Sequence, residues 1–298
     1  MRILLFGKIG QLGWELQRTL ASLGEIIAYD YPEIDLVHSD RLRQLILDAN
    51  PQVIVNATAY TAVDRAESEP EIAMAINATA PGVMAEAARS AGTALIHFST
   101  DYVFDGTKGS PYLETDQPNP LGVYGQSKLA GEQAIQEAGA VFLILRTSWV
   151  YSLRRDNFVR KVLEWARLNP TLRLVTDQVG NPTWARMLAE VTAQLLAKSS
   201  TAGEKNMVDW LAARQGIYHL AGSGYASRME WAQEILRLDP HPEQQRTKEL
   251  LPARTADFPS PAQRPLFSAL DCEKFAQVFG LRLPDWRDAL HLAMESIL

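Results

Sequence analysis

The sequence predicts an α/β protein with a doubly wound parallel sheet and a smaller lobe towards the C-terminus. In the first half of the chain, short leucine-rich and β-branched runs alternate with longer amphipathic segments, the pattern of repeated strand–helix–strand units. A glycine-rich turn follows the first run and opens a helix. The chain has 298 residues, of which 47% are hydrophobic, so it is long enough for two apolar cores.

Five strands and four helices are predicted in the first 150 residues. The strands are Arg2–Phe6, Ile26–Tyr29, Val53–Asn56, Ala94–Phe98 and Val141–Leu145. The helices are Gly10–Leu23, Asp40–Asn50, Glu71–Ser90 and Tyr124–Glu137. In the first helix Leu12, Leu16 and Leu20 share one face, as expected for a helix that packs on a sheet.

Beyond about residue 150 the strict alternation ends, and Pro and Arg become frequent, above all in residues 241–265. We therefore place a first domain in residues 1–150 and a second lobe mainly in residues 151–298, with approximate boundaries. A strand at Leu172–Val175 and an apolar helix at Ala185–Leu196 are expected to return to the first domain, so residues 171–198 are counted with it.

Composition excludes several classes of partner. The formal net charge is −6 and no run rich in Lys or Arg occurs, so we expect no nucleic acid. The single cysteine, Cys272, allows no intrachain disulfide. No apolar stretch reaches the ~20 residues that span a bilayer, and the apolar start Arg2–Phe6 is too short for a signal peptide. A cytoplasmic protein without a membrane partner is expected.

A glycine motif with the spacing G-x-x-G-x-x-G lies directly after the first predicted strand, at Gly7, Gly10 and Gly13. In this position glycines allow a tight turn and a close approach to a pyrophosphate, which the N–H groups of the helix N-terminus bind. The motif predicts a dinucleotide site. A glycine-rich turn without a ligand is the alternative interpretation.

Asp30 closes the second strand, where an acidic side chain usually bonds the ribose hydroxyls of the cofactor. That favours NADH over NADPH, although an ordinary turn aspartate is the alternative interpretation. Arg41 and Arg43 could reach a 2′-phosphate in three dimensions. The choice between NADPH and NADH therefore stays open.

Tyr124 and Lys128 are four residues apart on one helix face. An ammonium one turn away from a phenol stabilises the phenolate and lowers the pKa of the tyrosine, so the pair suits proton transfer to a carbonyl oxygen. Ser99 and Thr100 lie at the carboxyl end of the fourth strand, where ligands bind in open α/β sheets. Exposed helix residues and local backbone caps are the alternative interpretations.

Together these residues resemble the extended short-chain dehydrogenases and, within them, the dTDP-4-dehydrorhamnose reductases. The likeness covers almost the whole chain. Its motifs occur in the family's order and are residues 7–13, 56–64 (NATAYTAVD), 98–104 (FSTDYVF), 124–132, 146–151 (RTSWVY), 177–183 (DQVGNPT) and Arg264-Pro265.

The resemblance implies a Rossmann NAD(P)-binding first domain, a substrate-binding second lobe, and a known reaction. In that reaction NADPH or NADH reduces the 4-keto group of a dTDP-sugar, dTDP-4-dehydrorhamnose, to give dTDP-L-rhamnose in the last step of its biosynthesis. The implied catalytic residues are Thr100, Tyr124 and Lys128. The implied cofactor-binding residues are Gly7, Gly10, Gln11, Leu12, Gly13, Asp30, Ala59, Tyr60, Thr61, Tyr124 and Lys128. The implied substrate contacts are Thr100, Asp101, Trp149 and Arg264.

Two of these residues have plainer readings. Trp149 can also be interpreted as a core aromatic residue after the fifth strand, and the sequence alone favours this interpretation. Arg264 is expected to bind the diphosphate, and a surface ion pair with an acid such as Asp257 is the alternative.

Some members of the family bind Mg²⁺ between subunits through carboxylates, but Arg186 occupies that neighbourhood here, so no metal is expected. The oligomeric state, a homodimer included, stays open. Nucleotide-sugar dehydratases follow the strand-end threonine with Asp and Glu, whereas this chain has Asp101-Tyr102, which favours reduction. Another nucleotide-sugar epimerase or reductase, or a non-catalytic regulatory subunit of methionine adenosyltransferase, are the remaining alternatives.

Overall fold

One large parallel sheet and three small two-stranded sheets organise the computed structural model, which describes residues 1–201 and 206–296. In these ranges the strands are β1 (Arg2–Phe6), β2 (Glu25–Tyr29), β3 (Val53–Asn56), β4 (Ala94–Thr100), β5 (Val141–Thr147), β6 (Val150–Tyr151), β7 (Thr171–Val175), β8 (Val179–Gly180), β9 (Thr183–Trp184), β10 (Gly216–His219), β11 (Ala226–Ser227) and β12 (Glu249–Ala253). The large sheet has the order β10-β5-β4-β3-β1-β2 with parallel pairing throughout. The predicted doubly wound sheet is confirmed.

The helices cover both faces of the large sheet. They are α1 (Gln11–Thr19), α2 (Ser39–Ala49), α3 (Val63–Ala66), α4 (Pro70–Met74), α5 (Ala80–Ala91), α6 (Val123–Ala138), α7 (Phe158–Leu168), α8 (Ala185–Thr201), α9 (Met207–Ala212), α10 (Arg228–Arg237), α11 (Glu273–Phe279) and α12 (Trp286–Glu295). In β1, Ile3 and Leu5 belong to the core shared with α1, α8 and α11, whereas Leu4 and Phe6 belong to the core shared with α2, α5 and α6. A strand buried on both faces accounts for the unbroken apolar run in the sequence.

The helix predicted at Glu71–Ser90 is divided by a π-helical turn at Ala75–Thr79, between α4 and α5. Asn77 lies in this turn, and its side-chain amide donates to the Tyr60 carbonyl at 3.1 Å and to the Ser127 hydroxyl at 3.0 Å. The turn therefore links the loop after β3 to α6, which carries the predicted catalytic pair. Such π-turns occur frequently next to functional sites.

One expected return to the first domain is wrong. The strand at Leu172–Val175 forms as β7, but it pairs with β12 in a separate sheet of the second lobe. The position beside β5 is taken instead by β10, whose four residues carry too short a pattern to be recognised in the sequence. The helix at Ala185–Leu196 does pack on the first domain, because Leu188 and Leu195 share a core with Leu16 of α1.

The second lobe has a core of its own under α7, α10 and α12. Trp231 and Trp286 are its largest fully buried side chains, and Tyr151 and Leu174 pack with them. Over the described residues, no helix is both long and apolar enough to cross a bilayer. The division of the chain near residue 150 stays a prediction.

Candidate active site

The turn after β1 carries the three glycines of the predicted dinucleotide motif. Gly7 has a φ of 93°, a left-handed conformation that glycine adopts without steric cost. A Cβ atom at Gly13 would lie 1.9 Å from the Gly7 carbonyl oxygen, so α1 can approach β1 this closely only with glycine. Gly10 is the N-cap of α1 and provides no side-chain cap. The uncapped first N–H groups of α1 fit a dinucleotide pyrophosphate.

Asp30 lies at the end of β2, beside the glycine turn. Its carboxylate accepts hydrogen bonds from the backbone N–H of Ile9 at 3.0 Å and of Tyr31 at 2.8 Å. These bonds fix the carboxylate at the cavity wall, where it can also accept bonds from a ribose diol.

The two arginines considered for a 2′-phosphate have protein partners. Arg41 donates to the Glu33 carbonyl oxygen at 3.2 Å, and Arg43 forms an ion pair with Glu86. A third cation, Lys8, lies in the glycine turn itself and pairs with the Glu33 carboxylate at 2.6 Å. Each of these cations thus has a partner within the protein, a carboxylate for Lys8 and Arg43 and a backbone carbonyl for Arg41, and the geometry accommodates either NADPH or NADH.

The loop after β3 supplies part of the cavity wall. Ala59 and Thr61 line the cavity, whereas Tyr60 is turned towards the helices. The Tyr60 hydroxyl donates to Glu69, and its backbone N–H donates to Asn77 Oδ1 at 2.8 Å. Tyr60 therefore holds the loop in shape, and its direct contact with a cofactor stays a prediction.

Ser99 and Thr100 carry neighbouring hydroxyls at the end of β4, and these hydroxyls have different hydrogen-bond partners. Ser99 donates to Oε1 of Glu132, which forms a buried ion pair with Arg146 at 2.6 Å. The Thr100 hydroxyl is hydrogen-bonded to the Tyr124 phenol. The geometry thus favours Thr100 as the hydroxyl that meets a substrate oxygen.

Tyr124 lies in the first turn of α6 with its phenol buried at the sheet edge. Burial raises the pKa of Tyr124 above its ordinary value, the Thr100 hydrogen bond opposes this, and the charges of Asp101 and Tyr102 add to it. The expectation that the Lys128 ammonium lowers this pKa is wrong for this structure, because burial dominates and Lys128 is bound elsewhere. A phenol that stays protonated at neutral pH is the form that can donate a proton to a carbonyl oxygen.

Lys128 is buried one turn further along α6, with 1% of its surface exposed. Its Nζ donates to the Phe98 carbonyl oxygen at 2.7 Å and lies 3.1 Å from Nε2 of His97. Burial lowers the pKa of Lys128 to about 8, while the charge of Glu132 acts in the opposite direction. The lysine can therefore change its protonation state near physiological pH.

His97 and Asn56 form a buried pair behind Lys128. Asn56 Oδ1 accepts from the backbone N–H of Thr58 at 3.0 Å, which turns the amide nitrogen towards His97 Nδ1 at 3.0 Å. His97 then carries its hydrogen on Nε2, facing Lys128. An amine can accept this hydrogen and an ammonium cannot, so the pair favours loss of the lysine proton. Sequence reasoning missed His97, because its position inside β4 carries no motif.

Asp101 lies at the cavity wall but is already bound within the protein. Its Oδ1 accepts from Thr100 at 3.2 Å, and its Oδ2 accepts from Ser148 at 3.0 Å and from Ser268. Burial raises the pKa of Asp101 to about 6, and hydrogen bonds from these hydroxyls oppose the shift. The residue joins the ends of β4 and β5 to the second lobe, and its contact with a sugar stays a prediction.

Three stacked aromatic rings line one side of the cavity, and we call them the aromatic wall. They are the rings of Trp149, Phe158 and Trp231. The ring centroids of Trp149 and Trp231 are 5.5 Å apart, and those of Phe158 and Trp231 are 4.8 Å apart. Trp149 has a φ of 43°, and a Cβ atom at Gly180 would lie 2.6 Å from its ring. Glycine at position 180 therefore makes room for the indole, which lines the cavity and packs on the edge of the second-lobe core.

Arg264 has an acid partner, though a different one from the residue considered in the sequence. It forms an ion pair with Asp64 of α3 at 2.8 Å, whereas Asp257 pairs with Arg173 at 2.9 Å. Its guanidinium also donates to the Ser260 hydroxyl at 2.5 Å and to the Ala262 carbonyl oxygen at 3.3 Å. The pair joins the two lobes, and the role of Arg264 at the diphosphate stays a prediction.

One open cavity of about 790 Å³ collects most of the predicted site residues, a size typical of small-molecule sites. The predicted residues that line it are Gly7, Gly10, Gln11, Leu12, Asp30, Ala59, Thr61, Thr100, Asp101, Tyr124, Lys128 and Trp149. Gly13, Tyr60 and Arg264 lie outside its lining and act on it through neighbouring residues.

Sequence reasoning missed the side of the cavity that the second lobe contributes. Asn157, Phe158, Arg228 and Trp231 line it there. Trp231 follows Arg228 by three residues on an amphipathic helix, a spacing that is usual for core packing. Nothing in the local sequence indicates that this helix packs against Trp149.

No group of three or more His, Cys, Asp or Glu residues is placed to hold a metal ion in the ranges that the structure describes. Arg186, the residue considered in the sequence as unfavourable to a metal, pairs with Glu15 at 3.3 Å.

Comparison with known proteins gives consistent results. The whole chain, residues 1–298, matches the family described as the RmlD substrate binding domain. A dTDP-4-dehydrorhamnose reductase of Burkholderia thailandensis is 42% identical, over 100% of this chain and 99% of that protein. The solved structure of a dTDP-4-dehydrorhamnose reductase from Clostridium acetobutylicum has a TM-score of 0.89 and 32% identity, and covers 100% and 99% of the two chains. One from Bacillus anthracis, in complex with NADP, has a TM-score of 0.87 and 30% identity, with 99% coverage of both.

Proposed function

The chain belongs to the family of the RmlD substrate binding domain, and we propose from this that it reduces dTDP-4-dehydrorhamnose to dTDP-L-rhamnose with NADPH or NADH. The reaction is the last step of dTDP-rhamnose biosynthesis. One observation carries the proposal for this chain's own residues. Thr100, Tyr124 and Lys128 lie in the same cavity as the glycine turn that fits a dinucleotide.

The two lobes bind different ligands. Residues 1–150, with the packed helix α8, bind the cofactor, and residues 151–298 mainly form the substrate-binding lobe. The aromatic wall belongs to the second lobe apart from Trp149, which lies directly before the boundary. The cavity between the glycine turn and this wall supports the division.

The cofactor, when bound, supplies a hydride to C4 of the sugar. The Tyr124 phenol donates its proton to the oxygen at C4, so that the ketone becomes an alcohol. Thr100 holds that oxygen beside the phenol by a hydrogen bond. Lys128, buried next to Phe98 and His97 one turn from Tyr124, would hold the hydroxyls of the cofactor ribose.

The experiment follows reductant and product together. Purified protein is mixed with NADPH or NADH and dTDP-6-deoxy-L-lyxo-4-hexulose (dTDP-4-dehydrorhamnose), and we expect stoichiometric loss of the reduced cofactor with formation of dTDP-L-rhamnose. Conversion of a nucleotide sugar to its C4 epimer without net loss of reductant would assign the chain to the epimerases instead.

We further infer a cytoplasmic location, in keeping with the single cysteine and with a nucleotide-sugar substrate made inside cells. A homodimer stays a prediction, which light scattering of the purified chain decides.

A further inference from the structure

Arg228 is a cation that faces the cavity without an acid partner. It is the first residue of α10 and lines the cavity beside the aromatic wall. Its Cζ lies 3.6 Å from the centroid of the Trp149 ring and 4.9 Å from that of Phe158. Over the part of the chain that the structure describes, its guanidinium has no ion pair and no side-chain hydrogen bond. The stacking fixes the plane of the guanidinium and leaves its N–H groups for a ligand.

The acids that could neutralise Arg228 are engaged elsewhere. Glu230, two residues on, completes a capping box in which its carboxylate accepts from the N–H and the hydroxyl of Ser227, at 2.7 Å and 2.8 Å. Asp101 accepts from three hydroxyls on β4, β5 and the second lobe. Neither carboxylate is available to pair with the guanidinium.

Burial raises the pKa of Tyr102, and the positive charges of Arg228 and Arg264 oppose this rise. Burial lowers the pKa of Arg228 to about 10, the negative charge of Asp101 opposes this shift, and the positive charge of Arg264 adds to it. Arg228 is therefore still charged at neutral pH. The Tyr102 ring meets the Tyr124 ring edge-on at 5.5 Å. The charge of Arg264 is matched by Asp64 at 2.8 Å, whereas that of Arg228 is unmatched, and a bound anion would stabilise it.

We propose that Arg228 binds the diphosphate of the nucleotide sugar. The inference rests on the proposed function and names the residue that recognises the charged part of its substrate. The pyrophosphate of the cofactor is accounted for by the uncapped N-terminus of α1, so the second diphosphate in the cavity is that of the substrate. The planar guanidinium offers paired N–H donors that match phosphate oxygens.

The test removes the positive charge of Arg228 and keeps the aliphatic part of its side chain. Arg228→Met retains an unbranched side chain against Trp149, and the probe is dTDP, with thymidine as the same ligand without phosphates. We expect the Kd of dTDP to rise roughly 10- to 100-fold, as for a lost charge-assisted bond, with unchanged affinity for thymidine and NADPH. The KM for the keto-sugar should rise by a similar factor.

Arg287→Met is the matched control, because Arg287 also stacks on an indole, 4.3 Å from the Trp286 ring, in the first turn of α12. It lies outside the cavity lining and should leave dTDP binding unchanged. An unchanged Kd for dTDP in Arg228→Met, an equal loss for thymidine, or weaker NADPH binding would overturn the inference. Wild-type protein that binds dTDP without turning over the keto-sugar would contradict the proposed function alone.

Discussion

The two sides of the cavity differ in how far the protein itself satisfies their polar groups. At the edge of the large sheet, the side chains of Thr100 and Lys128 are buried and hydrogen-bonded to neighbouring protein groups, and the Tyr124 phenol lies beside them in the cavity. On the aromatic wall, Arg228 is charged and stacked on Trp149, and its N–H groups have no acceptor within the described residues. The first side is arranged to move a proton, and the second is arranged to receive an anion.

The difference implies that substitutions on the two sides change different quantities. A change at the sheet edge alters groups that meet the reacting atoms, so it should lower the rate of the chemical step. A change on the aromatic wall alters binding of a distant part of the substrate, so it should raise KM. The following predictions test this separation.

The largest effect is expected for Tyr124→Phe, which removes the proton donor and keeps the ring. We expect kcat to fall roughly 10²- to 10⁴-fold, the usual contribution of a positioned general acid, with cofactor affinity nearly unchanged. Steady-state kinetics and a cofactor titration measure the two effects. Tyr218→Phe is the control, since its hydroxyl donates to the Arg214 carbonyl oxygen at 2.7 Å, outside the cavity lining. Near-normal turnover of Tyr124→Phe would remove this phenol from the mechanism.

The sheet edge also depends on the buried ion pair beneath it. Arg146→Met leaves the Glu132 carboxylate buried without its cation, so we expect the free energy of unfolding to fall by about 3 to 5 kcal/mol. Arg2→Met, which breaks the exposed pair with Glu25, should cost about 1 kcal/mol or less. Urea unfolding of both variants provides the comparison, and equal losses would show that burial of the pair is irrelevant to stability.

The pH dependence of kcat/KM should identify Lys128. Its pKa is lowered to about 8, so the ammonium predominates below pH 8 and is lost above it. Because the ammonium is the form expected to hold the hydroxyls of the cofactor ribose, the rate should fall about tenfold per pH unit above that value. A profile that stays flat to the ordinary lysine range of about pH 10 would show that the protonation of Lys128 does not limit the reaction.

The smallest effect is expected at the cofactor. Asp30→Ala removes a carboxylate that should bond a ribose diol and repel a 2′-phosphate, so the preference should shift towards NADPH by roughly three- to tenfold. The ratio of kcat/KM values for the two reductants measures the shift. Asp48→Ala, on the exposed face of α2, is the control. A strong preference of the unmodified protein for NADPH, unchanged in Asp30→Ala, would contradict this role.

The sequence predicted the sheet edge well because its signals are local. β1, β3 and β4 are runs buried on both faces, and the glycine turn and the Tyr124–Lys128 spacing each lie within seven residues or fewer. The contacts that decide the behaviour of these groups are not local. Nζ of Lys128 contacts His97 and Phe98 of β4, and no residue spacing within α6 indicates these contacts.

The aromatic wall could not be predicted for the same reason. Trp149, Phe158 and Trp231 come together only when α7 and α10 pack in the second lobe, and Arg228 and Trp231 have the spacing of ordinary core residues. The strand β7 was misplaced because an apolar run does not say which sheet it joins. Contacts between residues far apart in the sequence thus determine those parts of the fold and of the cavity that could not be predicted.

The central claim is the separation of chemistry at the sheet edge from anion binding on the aromatic wall. Its most direct test is the pair of kcat and KM values for the keto-sugar in Tyr124→Phe and Arg228→Met. We predict a lower kcat with little change in KM for the first variant, and a KM raised roughly 10- to 100-fold with little change in kcat for the second. If both variants changed the same parameter, the two sides of the cavity would not have separate roles.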